Sequence, residues 1–196
     1  MAYGKRETEG VATLADIEAL PEGVVGEIID GALYTHARPG GGHVYLGLRL
    51  FGELDGPFQL GNPGPGGWWL MVEPGVQAEG SPEFIPDLAG WRRERVPTLP
   101  ERQWTTVPDW VCEILSPSTR SYDVRIKRPF YARLGIRHLW LIDLEARTLT
   151  VSELREGHWS EVAVHHEHED LIRVPPFEDL PLRWSWLWRS LQRPMP

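Results

Sequence analysis

A chain of 196 residues with 41% apolar residues is long enough to bury a real core, and it suits one domain. Its formal net charge of −8 speaks against a protein that coats nucleic acid non-specifically, because that affinity comes from neutralising phosphates; a small basic site on an acidic surface remains compatible with it. The lone cysteine, Cys112, excludes an intrachain disulfide, and beside Val111, Ile114 and Leu115 it reads as an inert buried thiol.

No apolar run approaches the roughly 18–20 residues of a membrane span. The polar opening MAYGKRETEG lacks the apolar centre of a secretion signal, so a soluble, cytoplasmic protein is expected. Residues 1–12 read as a flexible tail before a single domain over 13–196. Thr13, followed by acids and stopped by Pro21, predicts a short helix over Leu14–Leu20. VVGEIIDGALYTHA is a β-hairpin pattern, with Asp30-Gly31 suited to a tight type I′ turn and Glu27 on its first strand. Val44, Leu48 and Phe51 recur at helical spacing, which predicts a helix from about His43 to Leu54. GPFQLGNPGPGG reads as a loop. WWLMVEPGVQAEG, EFIPDLAGWRRERV and PDWVCEILS read as three strands.

A helix is expected from Arg120 to Leu134, capped by Ser118 or Thr119 and closed by Gly135. Pro129 costs a helix interior about 3 kcal/mol, so a kink or break is expected near residue 128. RHLWLID then gives a buried strand, and two antiparallel strands follow a turn at Leu144–Arg147. The tail ends in a strand or loop and a short helix carrying Trp184, Trp186 and Trp188, which read as packing on the core or on a second subunit. One mixed sheet with helices on its faces, after an N-terminal hairpin, fits this α+β order.

Three features carry the chemistry: Asp87 after Pro86, Glu113 inside an apolar strand, and a helix with Asp123, Arg125, Lys127 and Arg128. A carboxylate in such a strand is costly to bury unpaired, and two on neighbouring strands repel. A hard divalent cation relieves both, taking one or two carboxylates plus water. A nearby lysine can orient water or stabilise charge developing on a phosphate. Together these are the minimum for metal-assisted phosphodiester hydrolysis. Each residue also has a plainer reading: Asp87 as a turn residue, Glu113 in a structural pair with an arginine, and Asp123–Lys127 as a surface i,i+4 pair. HHEHED (165–170) reads as a solvated loop or strand edge, and WRRERVP as a solvated loop or a phosphate contact.

GEIIDGAL, EPGV, PDL, EILSPST, the YD…K…YA…G helix and LWLID follow one another in an order that closely resembles the Uma-two family of restriction-endonuclease-like proteins, within the PD-(D/E)XK nuclease superfamily. The likeness covers roughly residues 23–185. It implies a restriction-endonuclease-like core with a central mixed sheet flanked by helices, and a divalent-metal-dependent endonuclease acting on DNA. By that resemblance Asp87 and Glu113 bind Mg²⁺ or Mn²⁺, Lys127 assists, and a homodimer supplies two sites for double-strand cleavage. The superfamily's lysine stands two residues after the second acid, where this chain has Leu115; Lys127 on the next helix is the candidate replacement. Glu27, as a third carboxylate, and His43, positioning water or phosphate, are supporting candidates, while Tyr131 and Asp143 read as scaffold. A nuclease-fold module that binds nucleic acid or regulates without cleaving is the alternative, favoured by Leu115 and the acidic charge.

Overall fold

Trp110–Leu115 (β8) is buried along all six residues, which places it at the centre of the fold. The computed structural model describes residues 4–6 and 10–191. Around β8 a six-stranded sheet runs in the order β11-β10-β9-β8-β7-β4, formed by β4 (Trp68–Val72), β7 (Leu88–Arg92), β9 (His138–Asp143), β10 (Thr148–Arg155) and β11 (His158–His166) with β8. β8 and β9 are parallel, while the other neighbours pair antiparallel. The sheet is thus mixed, as the apolar pattern and the resemblance both lead one to expect.

Side chains alternate across β8, and the two faces meet different cores. Trp110, Cys112 and Ile114 pack with Leu46, Leu50 and Leu54 of α2 (Gly41–Leu54) and with Trp184 and Trp188 of α5 (Trp184–Trp188). Val111 packs on the other face with Tyr122, Phe130 and Tyr131. Glu113 belongs to that second face. The parallel pair requires a crossover, supplied by α3 (Arg120–Tyr122), a π-helical stretch (Asp123–Lys127) and α4 (Arg128–Arg133). Where a kink or break was expected near residue 128, the helix continues, and the irregularity is the π stretch just before Pro129. Proline brings no N–H to the i−4 carbonyl, and the wider winding accommodates that missing bond.

Leu14–Glu18 forms α1. The hairpin is β2 (Val24–Ile29) and β3 (Ala32–Ala37), turned through Asp30 (φ 51°) and Gly31 (φ 73°), both left-handed as a type I′ turn requires. In the span expected to be a tail, Gly4–Arg6 (β1) pairs antiparallel with β3 and Ala12 is buried, so these parts are docked; residues 1–3 and 7–9 lie outside the described residues.

Two runs read as single strands are each divided. β4 is followed by β5 (Val76–Ala78) after Pro74-Gly75, and β6 (Ser81–Phe84) precedes β7 across Pro86, whose missing N–H interrupts the ladder. Asp87 therefore sits just before β7. The expected loop at residue 56 onward opens with a helical turn, Asp55–Leu60, because Phe58 is buried against Trp68 and Phe177. The last strands are β12 (Leu171–Ile172) and β13 (Leu182–Arg183). In α5, Trp184 and Trp188 are buried at i,i+4, whereas Trp186 is covered by the Arg49 guanidinium 3.1 Å from its ring centre. No helix among the described residues is long and apolar enough to cross a membrane.

Candidate functional site

The site forms where β7 and β8 begin to part. Asp87 lies one residue before the ladder, and its Oδ2 accepts the Ile114 N–H at 2.6 Å, so the carboxylate takes over a backbone donor of β8. His43, in the first turn of α2, places Nε2 3.0 Å from the same oxygen. Asp87 Oδ1 accepts no hydrogen bond among the described residues.

Glu113 is 1% exposed and faces the crossover helix. Tyr131 donates its hydroxyl hydrogen to Oε1, and Lys127 Nζ lies 3.3 Å from the carboxylate. Lys127 has two further acceptors, Glu27 Oε1 at 3.2 Å and the Ile85 carbonyl at 2.7 Å. Glu27 Oε2 accepts the Ile85 N–H at 2.9 Å. The Ile85 backbone is thus held at both its donor and its acceptor, which fixes the chain immediately before Pro86-Asp87. His36 on β3 puts Nε2 3.2 Å from Glu27 Oε1 and Nδ1 3.0 Å from the Ala37 carbonyl.

Glu27, His36, His43, Asp87, Glu113 and Lys127 line a cavity of about 650 Å³. Its electrostatics divide the carboxyls into two kinds. Burial pushes the Glu27 carboxyl up, but the Lys127 charge and the His36 and Ile85 hydrogen bonds outweigh it and hold the group below the usual range. Asp87 is likewise held low, its burial outweighed by His43 and then Lys127. Glu113 goes the other way: burial, with the charges of Asp87 and Asp123, lifts it well above the usual range against the pull of Lys127. Asp123, 4% exposed, is pushed up to about 7, first by burial and then, against Lys127, by Asp87. Burial disfavours the Lys127 ammonium, but Glu113 and Glu27 more than restore it, so Lys127 is charged.

The donor set suits a hard divalent ion. Carboxylate charge exceeds what the cations compensate, as Glu113 and Asp123 show, and the ligands on offer are oxygens. No group of three or more His, Cys, Asp or Glu residues is gathered to hold a metal among the described residues. The arrangement therefore fits an ion that takes one or two carboxylates and completes its shell with water or substrate, and does not fit a closed zinc cage.

All five residues singled out from the sequence, Glu27, His43, Asp87, Glu113 and Lys127, line this one cavity. Asp123, for which a surface pair with Lys127 was the plainer reading, is buried in it. His36 was not singled out, although the Asp30-Gly31 turn sets Glu27 opposite Tyr34 and Val25 opposite His36, which puts His36 on the Glu27 face. Tyr131 touches Glu113 directly. Asp143 is scaffold: it pairs with Arg120 and caps the Glu145 and Ala146 amides. The basic run is engaged elsewhere, with Arg93 donating to the Trp68 and Gln59 carbonyls and Arg95 paired with Asp109 at 2.6 Å. In the histidine-rich segment, His165 bonds Glu169 at 2.8 Å.

Acid side chains of neighbouring strands in a mixed sheet are thus met by a lysine from the crossover helix. The chain belongs to the Uma2 family, described as "Putative restriction endonuclease", which matches residues 14–185. A crystal structure of a "putative nuclease belonging to DUF820" from Anabaena variabilis ATCC 29413 superposes with a TM-score of 0.72 over 92% of this chain and 99% of that one. The two are 23% identical, so the likeness is one of fold. No curated protein matches the chain.

Proposed function

We propose that this protein is a divalent-metal-dependent endonuclease that hydrolyses phosphodiester bonds in DNA. The observation that carries the reading is the meeting of Asp87, Glu113 and Lys127 on one cavity from three separate segments. Asp87 and Glu113 would hold Mg²⁺ or Mn²⁺, and the bound ion would supply Lewis-acid stabilisation of the scissile phosphate. His43 keeps the Asp87 carboxylate ionised and oriented. Lys127, charged and held by three acceptors, is the group to position an attacking water or to balance charge on the phosphate. Cutting both strands of a duplex takes two such sites, so the working form is a homodimer.

The alternative, a nuclease fold that binds without cleaving, draws support from Lys127 itself, whose ammonium is engaged by protein acceptors. One experiment separates them. Mg²⁺ and Mn²⁺ are titrated calorimetrically into wild type and Asp87→Ala, and the same samples are given supercoiled plasmid. Metal binding and nicking that both vanish in Asp87→Ala support the nuclease. Binding without nicking by wild type favours the non-cleaving module. Absence of binding to wild type would sink the metal site.

A further inference from the structure

Glu27 is a carboxylate in the acidic cavity, yet its oxygens are already spoken for. Oε2 accepts the Ile85 N–H at 2.9 Å, and Oε1 faces both Lys127 Nζ and His36 Nε2 at 3.2 Å. The side chain is 1% exposed. Both its oxygens already accept from protein donors, whereas Asp87 Oδ1 accepts from none among the described residues.

His36 is committed in the same direction. Its Nδ1 faces the Ala37 carbonyl, which can only accept, so Nδ1 donates. Its Nε2 faces a carboxylate oxygen that already receives an ammonium, so Nε2 donates as well. A ring that donates from both nitrogens is an imidazolium. Burial works against that charge, and the Glu27 and Ala37 bonds overcome it. The charged groups facing the ring are Glu27 on its own hairpin and Lys127 on the crossover helix, with the Tyr122 ring 6.3 Å away.

Glu27 is therefore a single negative charge bridging two cations. It is also a counter-charge of Lys127 at 3.2 Å, set by the same Ile85 backbone that accepts from the ammonium. We propose that Glu27 and His36 form a positioning dyad, carried by the N-terminal hairpin, that holds the Lys127 ammonium beside Glu113, and that Glu27 is not a metal ligand. The proposal rests on the nuclease reading for its catalytic meaning. It makes the hairpin part of the working site, supplied from outside the six-stranded sheet.

The chain has only two lysines, Lys5 and Lys127, so a ¹⁵Nζ-lysine sample gives two side-chain signals, which Lys5→Arg assigns. In wild type the Lys127 ammonium protons exchange slowly with water and its signal lies away from that of Lys5. In Glu27→Gln and in His36→Ala the exchange quickens by about tenfold or more as a buried charge-assisted bond is lost, and the signal moves towards that of Lys5. His36→Gln, which keeps one donor towards Glu27, falls between. Manganese affinity stays at the wild-type value in Glu27→Gln while Asp87→Ala loses it, and plasmid nicking by Glu27→Gln and His36→Ala falls in kcat with KM unchanged.

A Lys127 signal indifferent to both substitutions overturns the dyad. Loss of manganese by Glu27→Gln to the extent seen in Asp87→Ala overturns the positioning role and makes Glu27 a ligand. Should His36→Ala fail to fold by circular dichroism, His36→Gln and the isosteric Glu27→Gln decide. If wild type neither binds metal nor nicks, the nuclease reading falls, and the two-lysine spectra still decide whether the dyad holds Lys127.

Discussion

Asp123 has the least comfortable place in the cavity. It is a buried carboxyl whose proton affinity is lifted to about 7 by burial and by Asp87. The folded protein therefore holds a proton that the unfolded chain gives up near its ordinary value of 3.8. The stabilisation this gives is fully present below that ordinary value and is lost as pH rises through about 7. Asp87 and Glu27, held low, contribute in the opposite sense: their share is present above the ordinary carboxylate range and lost as pH falls through their depressed values. Asp123→Asn should consequently raise the melting temperature of the metal-free protein more at pH 8 than at pH 5. The gap at pH 8 is on the order of a few kcal/mol, since a tenfold change in proton affinity is worth about 1.4 kcal/mol. Melting curves at the two pH values check it; an equal effect at both would mean that Asp123 is ionised throughout.

At the scale of elements, the crossover helix brings the lysine home. Asp123 and Lys127 bound the π stretch, and Pro129 stands two residues beyond Lys127 in the first turn of α4. Pro129→Ala returns the missing N–H and lets ordinary α winding run through residues 123–127. The expected result is an unchanged or higher melting temperature with a shifted Lys127 tip. On the nuclease reading, nicking falls by about 10²-fold, the scale on which a displacement of about 1 Å is felt. Melting curves and nicking rates on the same preparation check it, and full activity in Pro129→Ala would mean that the π winding is incidental.

The elements themselves were legible because their signals are local. Asp30-Gly31 announces the hairpin, the apolar run at Trp110–Leu115 announces a central strand, and Gly135, with φ 75°, closes the helix. Glu113 was conspicuous because a carboxylate inside such a run needs a reason. What stayed hidden depends on contacts between distant segments. His36 looks like any strand residue until Glu27 and Lys127 are seen around it. Asp123 looks solvated because the spacing of a salt-bridge pair is the same whether the pair is exposed or buried. The basic run at Arg92–Arg95 read as a solvated loop or a phosphate contact, and Arg93 and Arg95 instead bind carbonyls and Asp109 that no local pattern points to.

At the scale of the whole molecule, the nuclease reading requires an acidic protein with a net charge of −8 to approach a polyanion. Long-range steering is unfavourable, so on the nuclease reading affinity rests on the bound cation and on the few arginines that have no protein partner. Arg38 is the one that lines the cavity; it is exposed and makes no ion pair or hydrogen bond among the described residues. Most arginines elsewhere are tied to acids or carbonyls, as Arg95, Arg147 and Arg183 are. DNA binding should therefore be weak without a divalent ion and strengthen when Ca²⁺ is added in place of Mg²⁺ to prevent cleavage. The slope of log affinity against log salt should be shallow, because each phosphate contact contributes only about 0.9 and few contacts are on offer. Arg38→Ala should weaken binding across all sequences alike and lower that slope by about 1. Fluorescence anisotropy with a labelled duplex, run as a salt series with and without Ca²⁺, measures both quantities. A steep slope that Arg38→Ala leaves unchanged would place the DNA on another face of the molecule, away from the acidic cavity, and the catalytic assignment of Asp87, Glu113 and Lys127 would fall with it.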